Sequence, residues 1–250
     1  MMKGRFFLKL NKRFFITLYI VISLNLINLL GICSSKIELE AFTVWSYVLA
    51  NNLGEIIVLL IPIFIIFGCS NNVFDFINYR FISNIHMRKS KFKHLFMEIT
   101  KSGILGGLIA SLPQLINYLL CLILFEPNLI NFSMFGLDNG YHFVHYSLLL
   151  MFLYGFTIAI YGVFMSLLIS RKSLYILISI LIYFVLLFYV NYNFKPEYSF
   201  VNFYHPLTVP GSFNFTFGYF YLILVIVISI FIGLIAYLLI EKYVEDELYA

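Results

Sequence analysis

The stretch GILGGLIASLPQLINYLLCLILF, residues 103–125, runs without a charged side chain. It matches the roughly 17 to 25 apolar residues that carry a helix across about 30 Å of hydrocarbon. An unpaired backbone amide in lipid costs several kcal/mol, and the strict two-residue alternation of a barrel strand is absent, so the run must be helical. Five comparable runs flank it, at residues 14–33, 53–69, 146–169, 173–190 and 218–240. Of the 250 residues 62% are hydrophobic and 11% charged, whereas soluble domains carry about a quarter charged residues. The expected fold is an all-α integral membrane protein of six transmembrane helices, forming a single domain over residues 1–250 with no internal repeat.

The positive charge is divided by these runs. Lys3, Arg5, Lys9, Lys12 and Arg13 precede the first, and Arg80, Arg88, Lys89, Lys91, Lys93 and Lys101 separate the second from the third. Arg171 and Lys172 separate the fourth from the fifth, and Lys242 follows the sixth, so that only Lys36 and Lys195 of the 16 basic residues fall in the other connections. The positive-inside rule makes the basic side cytoplasmic. Both termini are then expected inside, in a multi-pass protein of a bacterial cell membrane. The first run is too long for a signal-peptide core, and Leu30-Gly31-Ile32-Cys33 places Ile where a lipoprotein site needs a small residue, so cleavage is not expected.

The connections have their own pattern. Phe6, Phe7, Leu10 and Phe14 recur at helical spacing among the first cations, as in an amphipathic helix lying on an anionic membrane surface or a basic flank that only fixes topology. The inner connection 70–102 is long for a turn, and Phe81, Ile82, Ile85, Phe92, Leu95, Phe96 and Ile99 recur in threes and fours. One or two amphipathic helices are predicted there, with Arg88, Lys89, Lys91 and Lys93 on the polar side. Outside, Trp45 is expected in the interfacial aromatic belt. The aromatic connection 191–217 is expected to dip back against the bundle.

Within the spans, Gly103 and Gly107, and Gly106 and Ala110, are small residues four apart, and Gly155, Ala159, Gly162 and Ser166 repeat the theme. Such faces let helices approach closely where no hydrophobic drive separates protein from lipid. Pro113 is expected to kink its helix, with Gln114 and Asn117 following. Glu55 stands just inside the second run, an ionisable group that counts as a functional candidate. Glu55, Gln114 and Asn117 are therefore candidates for a translocation path.

Catalytic signatures are missing. His142 and His145 have helical spacing, yet no Cys, Asp or Glu in register completes a metal site. Cys33, Cys69 and Cys121 have no metal spacing and read as small packing residues. There is no metalloprotease or nucleophile-elbow motif, and the glycines of 103–107 lack the Gly-Lys-Ser/Thr ending of a phosphate-binding loop. The chain is not expected to be an enzyme, to bind a metal, cofactor or nucleic acid, or to hydrolyse ATP. No chain of intramembrane carboxylates suggests proton coupling.

In the inner connection, Asp75-Phe76-Ile77-Asn78-Tyr79-Arg80-Phe81-Ile82-Ser83-Asn84-Ile85-His86-Met87-Arg88 is followed by Lys91 and Lys101. With the six-run topology, the basic amphipathic start and the apolar outer loop, this resembles the membrane permease of a type 2 ATP-binding-cassette exporter. Tyr79 and Arg80 stand where that family commonly has Gly-Thr, Met87 replaces a Ser, and the frequent Pro is absent. The resemblance implies a coupling helix that docks on a cytoplasmic ATP-binding subunit, with Tyr79, Arg80, Ile82, Ile85, Arg88, Lys89, Lys91 and Phe92 as the coupling residues. It also implies a second permease subunit, identical or different, ATP and Mg held by the partner, and outward movement of an amphipathic, peptide or lipid-like substrate. The alternative is a membrane accessory or immunity protein that acts by binding alone.

Overall fold

The computed structural model describes residues 12–33, 41, 44–45, 48, 52–71, 74, 91–125, 140–169 and 171–193. Five helical elements make up this part: α1 (Lys12–Cys33), α2 (Asn52–Ile65) running on as a π turn (Ile66–Ser70), α3 (Lys91–Leu124), α4 (Gly140–Leu168) and α5 (Lys172–Asn193). Three stretches, Lys12–Cys33, Met97–Leu124 and Ser147–Ser166, are long and apolar enough to cross a membrane, and Leu59–Ser70 and Lys172–Val185 are shorter apolar helices. The expected run 218–240, the N-terminal amphipathic segment and most of the outer aromatic connection lie outside the described residues.

The helices are apolar on their outer as well as their inner faces. On α1, Phe15, Ile16, Tyr19, Ile27 and Leu30 are exposed, while Thr17, Asn25 and Asn28 are buried. Leu115, Leu119 and Ile123 on α3, and Leu177, Leu181 and Val185 on α5, extend the apolar exterior. An apolar surface this extensive is rare on soluble monomers, and hydrocarbon is the medium that matches it. Several buried hydroxyls are satisfied locally: Thr17 Oγ1 donates to the Arg13 carbonyl at 2.9 Å, Thr157 to that of Leu153 at 2.7 Å and Ser179 to that of Tyr175 at 2.6 Å. Bonding one turn back is how a hydroxyl enters an apolar interior without losing its partner.

The small-residue faces set the tightest contact. A Cβ built on Gly106 would lie 2.6 Å from both the Ala159 Cβ and the Gly155 carbonyl oxygen, and one on Gly155 2.8 Å from the Ala110 Cβ. Phe152 and Phe156 of α4 lie over Gly107 and Gly103 of α3. The pairings run in opposite directions, so α3 and α4 are antiparallel. The predicted faces thus meet within the chain at Gly106, Ala110, Gly155 and Ala159, whereas Gly162 packs on Ser70 and Ile66 of the π turn.

Successive helices alternate. Tyr154 and Tyr183 share a hydroxyl hydrogen bond of 2.6 Å, and Tyr161 donates to the Ser179 carbonyl at 2.9 Å, which makes α5 antiparallel to α4. The π turn inserts between α1 and α4, with Gly68 against Thr17 and Ser70 Oγ donating to the Ala159 carbonyl at 2.8 Å. Pro62 precedes the turn and can offer no amide hydrogen to the helix ladder.

Two expectations are revised. The inner amphipathic helix and the third span are not separate elements, because α3 is continuous over Lys91–Leu124 with Pro113 inside it. At about 1.5 Å per residue, its 34 residues exceed the hydrocarbon thickness by several turns. Trp45 is not in an interfacial belt but fully buried, in a cluster with Leu29, Ile32, Val44, Val48, Cys121 and Val144. Its ring meets Tyr118 edge-on at 5.7 Å. The indole is consumed by packing the open end of α1 and α3, where small and branched side chains leave room for it.

Candidate functional site

Three amides meet between α1 and α3. Asn25 Oδ1 accepts from Gln114 Nε2 at 3.1 Å and from Asn117 Nδ2 at 3.4 Å, while Asn25 Nδ2 donates to the Val21 carbonyl at 2.9 Å. Gln114 and Asn117 are three residues apart and so share one face of α3. Asn25, Gln114 and Asn117 are 2%, 1% and 0% exposed, respectively. Above them, Trp45 Nε1 donates to the Gln114 main-chain oxygen at 3.3 Å, and Asn28 Nδ2 donates to the Val48 carbonyl at 2.9 Å. Together these bonds hold the buried residues Ala41, Val44, Trp45 and Val48 down onto the cluster.

The cluster is not saturated. Gln114 Oε1 and Asn117 Oδ1 are buried and have no hydrogen-bond partner among the described residues. A buried acceptor left unmet costs about 1–3 kcal/mol, so two side by side have spare capacity for a donor such as a water, an ammonium or a peptide N–H. No carboxylate, nucleophile–base pair or thiolate joins them in the described residues. The chemistry available here is recognition by hydrogen bonding.

A second polar feature lies at the opposite end of α1. Arg13, Asn71, Arg171, Lys172 and Ser173 border an open hollow of about 650 Å³ whose remaining lining is Phe67 and Ile176. Cations from two separate basic clusters of the sequence are thereby gathered at one end of the helices, the arrangement that alternating helix direction demands.

The expected site residues divide accordingly. Gln114 and Asn117 are brought together, and Asn25 joins them. Glu55 lies in the first turn of α2, at the end remote from the hollow. Lys91 and Phe92 open α3 on the hollow's end of the bundle. Tyr79, Arg80, Ile82, Ile85, Arg88 and Lys89 lie outside the described residues. His142 and His145 stand near the start of α4, and His145 is exposed. Among the described residues no group of three or more His, Cys, Asp or Glu could hold a metal ion. Sequence reading does not single out Asn25, Trp45 or Asn71 as site residues. The available signal for Asn25 is that it stands three residues before Asn28 inside an apolar run, a polar stripe that needs a partner. Comparison with family models, curated proteins and solved structures finds no match to this chain.

Proposed function

We propose that this chain is the membrane permease subunit of an exporter of the type 2 ATP-binding-cassette kind, driven by a separate cytoplasmic ATPase. In this reading six helices cross the membrane with both termini inside, and two permease subunits, identical or different, form the path. The observation that carries the transport reading is the unsaturated amide cluster of Asn25, Gln114 and Asn117 inside an otherwise apolar bundle. Polar groups at such depth are costly and mark routes for polar cargo. The long basic connection supports the ATPase reading, since Arg80, Arg88, Lys89, Lys91 and Lys93 exceed what a simple inner turn requires.

The mechanism is one of linkage. ATP binding by the partner would draw two coupling segments, residues 79–96, together, and the rigid continuity of α3 would carry that displacement from Lys91 to Gln114 and Asn117. Cargo with hydrogen-bond donors and apolar surface, an amphipathic peptide or a lipid-like molecule, suits two open amide oxygens set among apolar helices.

Purification in mild detergent provides the test, with nucleotide hydrolysis measured in the isolated complex. The expected result is a stoichiometric ATPase that Arg88→Glu/Lys89→Glu/Lys91→Glu releases, while Asn117→Ala leaves it bound and lowers transport about tenfold. Retention of the ATPase by the charge-reversed protein overturns the coupling assignment. A pure chain without any ATPase favours the accessory or immunity alternative, in which binding alone is the function.

A further inference from the structure

We propose that Cys33 and Cys121 are a thiol pair that a small disulfide oxidant converts to an internal disulfide, at the end of the bundle remote from the basic hollow. The inference does not rest on the transport reading. Cys33 closes α1, and Cys121 lies in the last turn of α3. The two helices run in parallel, and Asn25 fixes their register, since its Oδ1 accepts from both Gln114 and Asn117. Cys33 stands eight residues beyond Asn25, and Cys121 stands seven beyond Gln114 and four beyond Asn117. At about 1.5 Å per residue, the two cysteines come to within about one helical turn of the same level. Residues four and seven apart share a face, so Cys121 is on the side of α3 that carries the two amides toward α1.

Packing brings the pair together. Cys121 is buried in the cluster of Leu29, Ile32 and Trp45, and Cys33 packs against the same cluster. The Cys121 thiol lies within electrostatic reach of Cys33. Where the axes of packed helices are about 8–10 Å apart, facing Cα atoms come within the roughly 4.4–6.8 Å that a disulfide spans. Cys33 is half-buried and open to attack from the medium, whereas Cys121 is sealed in. That division suits Cys33 to react first and Cys121 to resolve. The charge pattern also makes this the end expected outside, where disulfides persist. Cys69 is buried in the other core cluster, at the opposite end, and provides an internal control.

The chemistry is thiol–disulfide exchange with a small symmetric disulfide. The Cys33 thiolate attacks one sulfur of the oxidant, forming a mixed disulfide, and the first small thiolate leaves and takes up the proton that Cys33 lost. Cys121 then attacks the Cys33 sulfur, the mixed disulfide breaks, and the second small thiolate leaves with the Cys121 proton. Two protein thiols are oxidised to one disulfide, and the oxidant is reduced to two thiols. The bond ties α1 to α3 about two turns beyond the amide cluster and fixes their separation there.

The test incubates the full chain in neutral detergent with oxidised glutathione, then quenches, denatures and labels it with a maleimide. Wild type is expected to fall from three labelled cysteines to one, Cys69. Peptide mass spectrometry should find residues 33 and 121 cross-linked within one chain, two hydrogens lighter. The oxidised protein should melt several degrees above the reduced protein, and dithiothreitol should reverse both changes. Cys121→Ala should stop at a glutathione adduct on Cys33, and Cys33→Ala should keep both of its thiols. Three labelled cysteines in oxidised wild type, or a lasting glutathione adduct on Cys33 with Cys121 still labelled, overturn the pairing. A cross-link between two chains through Cys33 overturns it in favour of a contact between copies.

Discussion

Asn25 is the residue on which the amide cluster turns. Its oxygen accepts from two amides of α3 at once, so Asn25→Leu would strand both donors in an interior without water. We expect that variant to lose about 1–3 kcal/mol of stability, read as a fall in detergent melting temperature. Asn25→Leu combined with Asn117→Leu should recover part of the loss, because replacing both partners by apolar groups is cheaper than orphaning one. A combined loss equal to the sum of the singles would show that Asn25 and Asn117 do not interact. Gln114 and Asn117 are legible in the sequence as polar groups in an apolar run, but their partner is not. Nothing local links Asn25 to a position some ninety residues later; only the parallel placement of α1 and α3 does. Asn71 illustrates the same limit, since it is buried at the end of the π turn beside residues of α1 and α5 that are distant in sequence.

At the scale of elements, the contact between α3 and α4 gives a sharp contrast between glycines. Gly106→Ala would drive a methyl group against the Gly155 main-chain oxygen, which cannot swing aside. Overpacking of this kind costs about 1–3 kcal/mol. On α1, a Cβ added at Gly31 would meet nothing within 4 Å, so Gly31→Ala should be neutral or raise stability by up to about 1 kcal/mol through helix propensity. Melting of the two variants side by side checks both, and equal effects would discount the close approach. The small residues four apart announce a close helix contact from sequence, because their spacing is the helical repeat. Which helix fills it is not announced: α3 could equally have met a second copy of the chain. The boundary between an inner helix and the third span is also absent, since Met97 to Lys101 are good enough helix formers for the ladder to run from Lys91 through to the apolar residues.

For the whole molecule, the prediction concerns sides. With Cys33, Cys69 and Cys121 replaced by Ala, a single Cys at position 90 or at position 171 should react with an impermeant thiol reagent from the same face of the membrane. A Cys at position 139, just before α4, should react from the other. Labelling of positions 90 and 171 from opposite faces would overturn the alternating topology. Labelling of position 90 from outside intact cells would overturn the inward orientation of the basic side. The bundle already places Arg13, Arg171 and Lys172 around one hollow, so the described helices and the charge pattern agree on which ends lie together.

Hydropathy and charge along the chain are enough to establish that these segments are helices and roughly how long they are, because in an apolar medium the backbone must bond within each segment. The charge pattern adds the expectation of which ends lie on one side, because cations collect between alternate apolar runs. It took the folded bundle to show that Trp45 packs inward, that Gly106 meets Gly155, and that Asn25 serves Gln114 and Asn117. The reason is that lipid and protein interior are equally apolar. Hydrophobic pattern therefore cannot say which face of a span turns inward, and only the fit of small residues and the pairing of polar ones can.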